Sequence, residues 1–150
     1  MIGATREGRM RRVGFVVLAS LVLLTGCAGT GEGEAGFGVP TQPSDASVAG
    51  PRTDIRGTVR VAQNGCLLLE PDGGGRRWIV WPAGQEADQG QPVVAGRLVR
   101  DGDVLRGRGT LGTGDALPGW ADPNSYFGSY GAFCSADETG VVVLDDVVLD

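Results

Sequence analysis

The sequence has no histidine and no lysine. Their absence removes the commonest general base, the commonest transition-metal ligand and any Schiff-base nucleophile. A serine or cysteine nucleophile therefore lacks its usual activating partner. All 13 basic side chains are arginines, which hold their proton at any working pH. The chain reads as a non-enzyme, two carboxylates acting together being the one acid–base route left. Basic charge is also in short supply: the formal net charge is −5, which argues against a nucleic-acid partner. The acidic pairs Asp101/Asp103, Asp137/Glu138 and Asp145/Asp146 lack the alternating spacing of a calcium loop. The first flanks a hairpin glycine, and neighbours such as Asp145 and Asp146 point to opposite sides of a strand. No metal and no cofactor is expected.

What basic charge there is collects early. Arg6, Arg9, Arg11 and Arg12 precede an apolar run at residues 13–24 (VGFVVLASLVLL), the length of a secretory h-region and short for a membrane span. Leu24-Thr25-Gly26-Cys27 follows directly. This resembles the lipobox of bacterial lipoproteins: an aliphatic residue, a small residue, Gly or Ala, then cysteine. The resemblance covers residues 1–27. It implies that residues 1–26 are a cleaved signal peptide and that Cys27 carries a diacylglyceryl group. The mature protein would then sit at a cell membrane, lipid-anchored on the extracytoplasmic face. Two acyl chains give stable anchoring where one binds only marginally.

Residues 27–52 read as the lipidated N-terminus and a Gly/Pro/Ser linker. The stretch AGTGEGEAGFGVPTQPSDASVAGP has Phe37 as its only aromatic and too little apolar surface to order itself. A Gly-rich coil of that length has an r.m.s. reach of about 25–30 Å, enough to lift a domain clear of lipid head groups.

From residue 53 to 150 the pattern is that of strands. Residues 55–61 alternate, Asn64-Gly65 signals a hairpin into residues 66–69, and Pro71-Asp72-Gly73-Gly74-Gly75 turns into residues 76–81. Residues 93–100 and 104–111 flank Asp101-Gly102 as another hairpin, and a last apolar run covers residues 141–149. No stretch has a capped helical period. The fold class is all-β: a small five- to six-stranded barrel whose layout is similar to an OB-fold, with a compact β-sandwich as the alternative.

Cys27 consumed by lipid leaves Cys66 and Cys134, which are expected to pair; an exported domain with a modest core gains from such a staple. Between residues 117 and 134 lie five of the nine aromatic residues: Trp120, Tyr126, Phe127, Tyr130 and Phe133. Two readings stay open: the rings plug one end of the barrel, or they form a binding surface. Of these, Phe127 and Phe133 are expected inside, and Trp120, Tyr126 and Tyr130 are the candidates for a surface. Trp78 and Trp81 fall on opposite faces of one strand, so one belongs to the core and the other, Trp81 among the candidates, to an exposed face. Arg56, Arg60, Arg97, Arg106 and Arg108 either line a solvated outer face or grip an acidic partner. The functional expectation is a membrane-tethered, non-catalytic binding module for an envelope protein or glycan. The alternatives are an assembly subunit of an envelope complex and a carboxylate-based enzyme.

Overall fold

The alternation at residues 55–61 becomes the first strand of a closed barrel. A computed structural model describes residues 38–44 and 48–150; the expected signal peptide and Cys27 lie outside the described residues. The strands are β1 (Thr53–Val61), β2 (Leu67–Pro71), β3 (Arg77–Val80), β4 (Ala87–Asp88), β5 (Gln91–Val94), β6 (Arg97–Leu98) and β7 (Val104–Gly112). Two helices follow, α1 (Tyr126–Phe133) and α2 (Ala136–Thr139), then β8 (Val141–Leu144) and β9 (Val148–Leu149).

The main sheet runs β1-β2-β3-β8-β7, and β7 closes on β1 from Thr53↔Gly109 to Thr58↔Val104. The β3–β8 pair is parallel and the other pairs are antiparallel. Five strands closed in this order, with one parallel pair, make an OB-like barrel; the sandwich alternative falls. The last apolar run forms β8 and β9 along one edge of β7. The register slips by one residue between Gly109↔Leu144 and Arg106↔Val148. That slip is a β-bulge at residues 145–147, which bends the strand around the barrel. Here β7 needs glycine: a Cβ at Gly107 would overlap the Asp146 carbonyl, and one at Gly109 the Val143 carbonyl.

The central strands are buried on both faces. Leu67, Leu69, Ile79, Trp81, Val142 and Leu144 face the barrel interior with Ile55, Val59 and Leu105. Leu68, Trp78, Val80, Val141 and Val143 face outward into a second cluster with Leu117, Phe127 and Ala136. The continuous apolar runs at 67–69, 78–81 and 141–144 are the signature of such doubly covered strands. Helices α1 and α2 provide the cover. The aromatic excursion therefore contains helix, and it lies over an outer face of the barrel, not in its end.

Val94 and Val99 pack into the interior from the connection between β3 and β7. That connection departs from the expected single strand at 93–100. It is folded into two successive hairpins, β4–β5 and β5–β6, with two-residue turns at Gln89-Gly90 and Ala95-Gly96. All four turn residues have positive φ, the type I′ geometry. The turn at Asp101-Gly102 exists, but the strands beside it do not pair with each other; β7 pairs with β1 instead.

The linker reading also needs correction. Pro40 and Gln42 exchange backbone hydrogen bonds with Trp81, and the Gln42 side chain donates to the Leu144 carbonyl at 2.6 Å. Val48 is buried in the outer cluster. Arg52 Nε donates to Asp145, and its Nη1 donates to Thr110 Oγ1 at 2.7 Å. Residues 38–44 and 48–52 belong to the folded domain, so the boundary drawn at residue 53 moves back. A few well-placed side chains and the edge of β3 order a segment whose composition alone resembles a spacer.

Candidate functional site

Two surface features stand at opposite ends of the β2–β3 pair. At the end where β1 turns into β2, the helical cap presents its aromatic residues. At the other end, where β2 turns into β3, the barrel carries an open groove.

The cap is built from residues with poor helix propensity but specific contacts. Ser125 is the N-cap of α1: its Oγ accepts from Gly128 N at 3.0 Å and donates to the Gly119 carbonyl at 2.6 Å. Phe127, Gly128 and Gly131 point inward. Cys134 follows at the C-cap and is bonded to Cys66, with 5.7 Å between the Cα atoms. The cysteine pair expected from the sequence is thus present, and it ties the cap to the β1–β2 turn. Asn64 of that turn adds a hydrogen bond from Nδ2 to the Phe133 carbonyl at 2.8 Å.

The outward ridge of α1 is Tyr126, Ser129, Tyr130 and Phe133, the i, i+3, i+4, i+7 positions that share one helix face. Tyr126 is 48% exposed and Phe133 39%. Tyr130 is half-buried, its ring 5.1 Å from that of Tyr126. The Tyr126 hydroxyl accepts from Thr41 N at 3.3 Å. Phe133 is thus on the surface, against the expectation that it packs inside; Phe127 is buried as expected.

Trp120 sits apart from this ridge. Its half-buried ring lies between Gly114 and Gly131, and a Cβ on either would overlap it. One edge lines a shallow hollow of about 390 Å³ with Asp115, Leu117 and Asp122. Trp81 is a correction. It is fully buried in the barrel interior, as Trp78 is in the outer cluster, because both faces of β3 are covered. The Trp81 indole Nε1 has no hydrogen-bond partner among the described residues. The structure therefore joins Tyr126 and Tyr130, sets Trp120 into the cap and removes Trp81 from any surface.

The groove is lined by Asp54, Ile55, Arg56, Pro71, Asp72, Arg77 and Leu111 and encloses about 390 Å³. Leu111, 40% exposed, gives it apolar ground. Arg56 reaches Asp72 at 3.3 Å and Asp150 at 3.2 Å. The hydrogen bond to Asp72 is the main cause that holds the Arg56 pKa above the usual arginine value. Arg77 Nη1 donates to the Gly112 carbonyl at 3.4 Å. Gly73 and Gly74 keep the turn beside the groove low. Nothing in the sequence groups these residues, since they come from β1, β2, the β2–β3 turn, β3 and β7.

Most strand arginines are engaged by carboxylates of the same chain: Arg60 by Glu70 at 2.9 Å, Arg97 by Asp103 at 3.7 Å and Arg106 by Asp150 at 2.7 Å. These pairs are the outer-face reading of the arginines. Asp145 and Asp146 are absorbed too, by Arg52 and Gln42 and by the backbone N–H of Arg108. Among the described residues no group of three or more His, Cys, Asp or Glu is placed to hold a metal ion. Comparison with protein-family models, with curated proteins and with solved structures finds no match in any of the three.

Proposed function

We propose that this chain is a lipid-anchored lipoprotein on the extracytoplasmic face of a membrane, and that its OB-like domain is a non-catalytic binding module for an envelope protein or glycan. The anchor rests on the lipobox-like Leu24-Thr25-Gly26-Cys27 behind an arginine-rich n-region and a short apolar run. The pairing of Cys66 with Cys134 fits an oxidising compartment.

The observation that carries binding is the groove. Recognition sites place an apolar centre inside a ring of a few oriented polar groups. Leu111 is such a centre, and Arg56, Arg77, Asp54 and Asp72 are such a ring. Groups of both signs suit a ligand with alternating donors and acceptors, such as a polypeptide segment or a glycan, better than a polyanion.

The test is capture of partners by the lipidated protein after cross-linking on intact cells, with wild type beside Leu111→Asp and Arg77→Glu. Both positions are at least partly exposed, so melting temperatures should stay within a few degrees of wild type. The proposal expects one cross-linked species, present with wild type and lost with both variants. Capture that survives both substitutions removes the groove from the account.

A further inference from the structure

One wall of the groove is backbone. The β1–β7 ladder runs from Thr53↔Gly109 to Thr58↔Val104, whereas the β1–β2 ladder stops at Gly57↔Pro71. A last bond on the β2 side runs from Asp72 N to the Arg56 carbonyl at 3.1 Å. Strand alternation then fixes where the remaining backbone groups point. Val59 N donates to the Asp103 carbonyl at 2.8 Å, on the β7 side, so Gly57, Ile55 and Thr53 bond toward β7 as well. Arg56 and Ala62 bond toward the β2 side, and Asp54 shares their parity. The Asp54 N–H and carbonyl therefore face the side where β2 has ended, and no strand lies beside them among the described residues. Asp54 is exposed, and its edge borders the groove opposite Gly73 and Gly74. An open strand edge of this kind is a template for another extended chain.

The two faces beside that edge differ. Leu111 pairs with Val142, and Arg77 stands two residues before Ile79; both partners belong to the barrel interior, so Leu111 and Arg77 rim that face at its end. Asp54 and Arg56 lie on the opposite face of β1 from Ile55. Arg56 is engaged by Asp72 and Asp150. Asp54 and Arg77 have no ion-pair partner among the described residues, and Arg77 is held only by the Gly112 carbonyl. No aromatic side chain lines the groove, so a sugar ring has no face to stack on.

We infer that the groove takes an extended polypeptide segment, which adds to the open edge of β1 and exchanges backbone hydrogen bonds with Asp54. The inference rests on the groove reading of the proposed function and narrows its occupant from a protein or glycan to a protein segment. Alternate side chains of the added strand meet the two faces. Those toward Leu111 and Arg77 are apolar and acidic, and the one toward Asp54 is basic. The edge from Thr53 to Arg56 is about 13 Å long at about 3.3 Å per residue, so the contact engages roughly four residues of the guest.

The full chain in detergent micelles is panned against a random heptapeptide library. Selected peptides are then titrated by fluorescence anisotropy against wild type, Leu111→Asp, Asp54→Ala and Asp54→Pro. Alanine keeps the N–H at position 54 and removes only the carboxylate. Proline removes the N–H that faces the groove and breaks no bond to β7, as an edge position allows, and the melting temperature checks the barrel. Asp54→Pro should weaken binding by about tenfold, the order expected for one lost hydrogen bond, and Asp54→Ala by less. The Asp54 amide should exchange quickly in the free protein and become protected in the complex. Peptides methylated on alternate backbone nitrogens repeat the test without altering the protein: one set should lose binding and the other keep it. Peptides that need Leu111 but bind Asp54→Pro as tightly as wild type, with the Asp54 amide still exchanging, end this inference and leave the groove as a side-chain site. A chito-oligosaccharide that binds through Leu111 without protecting that amide ends it in favour of a glycan. A library that yields no peptide dependent on Leu111 also ends it; the groove itself falls only if partner capture on cells survives Leu111→Asp and Arg77→Glu.

Discussion

Phe127→Ala tests the claim that the helical cap is a second core and not a loose loop. The Phe127 ring is 3% exposed and packs with Leu117, Trp78 and Val143 on the outer face of the sheet. Truncating a buried phenylalanine costs about 3–5 kcal/mol, from lost transfer energy and the cavity left behind. A domain of this size has about 5–15 kcal/mol in total, so the variant should lose a large share of its stability. The cost corresponds to a drop in melting temperature of roughly 12–40 °C, at about 4–8 °C for each kcal/mol. The assay is urea unfolding followed by near-ultraviolet circular dichroism, with the slope compared to wild type. Phe133→Ala is the matched control: Phe133 is 39% exposed, so the same deletion should cost clearly less than at Phe127. Equal small effects would mean that α1 does not pack against β2, β3 and β8. A large loss at Phe133 with none at Phe127 would reverse the assignment of the two faces.

Breaking the Cys66–Cys134 bond, by the double serine variant, should lower stability by up to about 4 kcal/mol, the chain-entropy value for a loop this long. Non-reducing peptide mapping should recover the two cysteines in one linked peptide, and free alkylation of both in exported protein would refute the pairing. Gln42→Ala should cost about 1–3 kcal/mol, because it leaves the buried Leu144 carbonyl without the Gln42 donor. An unchanged denaturant midpoint would mean that residues 38–44 are not part of the domain. Arg60 and Glu70 should couple by no more than about 1 kcal/mol in a double-mutant cycle, since both are well exposed, and the coupling should shrink in salt.

The barrel was legible in the sequence because its signals are local and strong. Strict alternation at 55–61, Asn64-Gly65 and the glycine-rich turn at 72–75 each allow little else. The features that escaped depend on contacts distant in sequence. Helix α1 reads YFGSYGAF, and each glycine in a helix costs about 1 kcal/mol relative to alanine, which hides the helix. The glycines are there because a Cβ at Gly131 would overlap the Trp120 ring and one at Gly128 the Asp122 carbonyl. Pro123-Asn124-Ser125, with Ser125 as cap, was the one local signal for the helix. The hairpin turns Gln89-Gly90 and Ala95-Gly96 carry non-glycine residues at φ of 48° and 51° without the usual asparagine or aspartate, so the run at 93–100 looked like one strand. Two-faced alternation puts Trp81 on the surface only for a strand with one open face, and β3 is covered on both; the unbroken run Trp78-Ile79-Val80-Trp81 is the signal of that double cover. The cysteine pair is readable by elimination once the proposed lipidation sets Cys27 aside. The groove was not readable, because its walls meet only when β7 closes on β1.

The central claim is that Cys27 is the lipidated first residue of the mature protein. Intact-mass and N-terminal peptide mass spectrometry of the protein isolated from membranes tests it most directly. The account predicts a mature chain that begins at Cys27 and carries the mass of a diacylglyceryl group on that residue. An unmodified Cys27 inside a longer mature chain would contradict it.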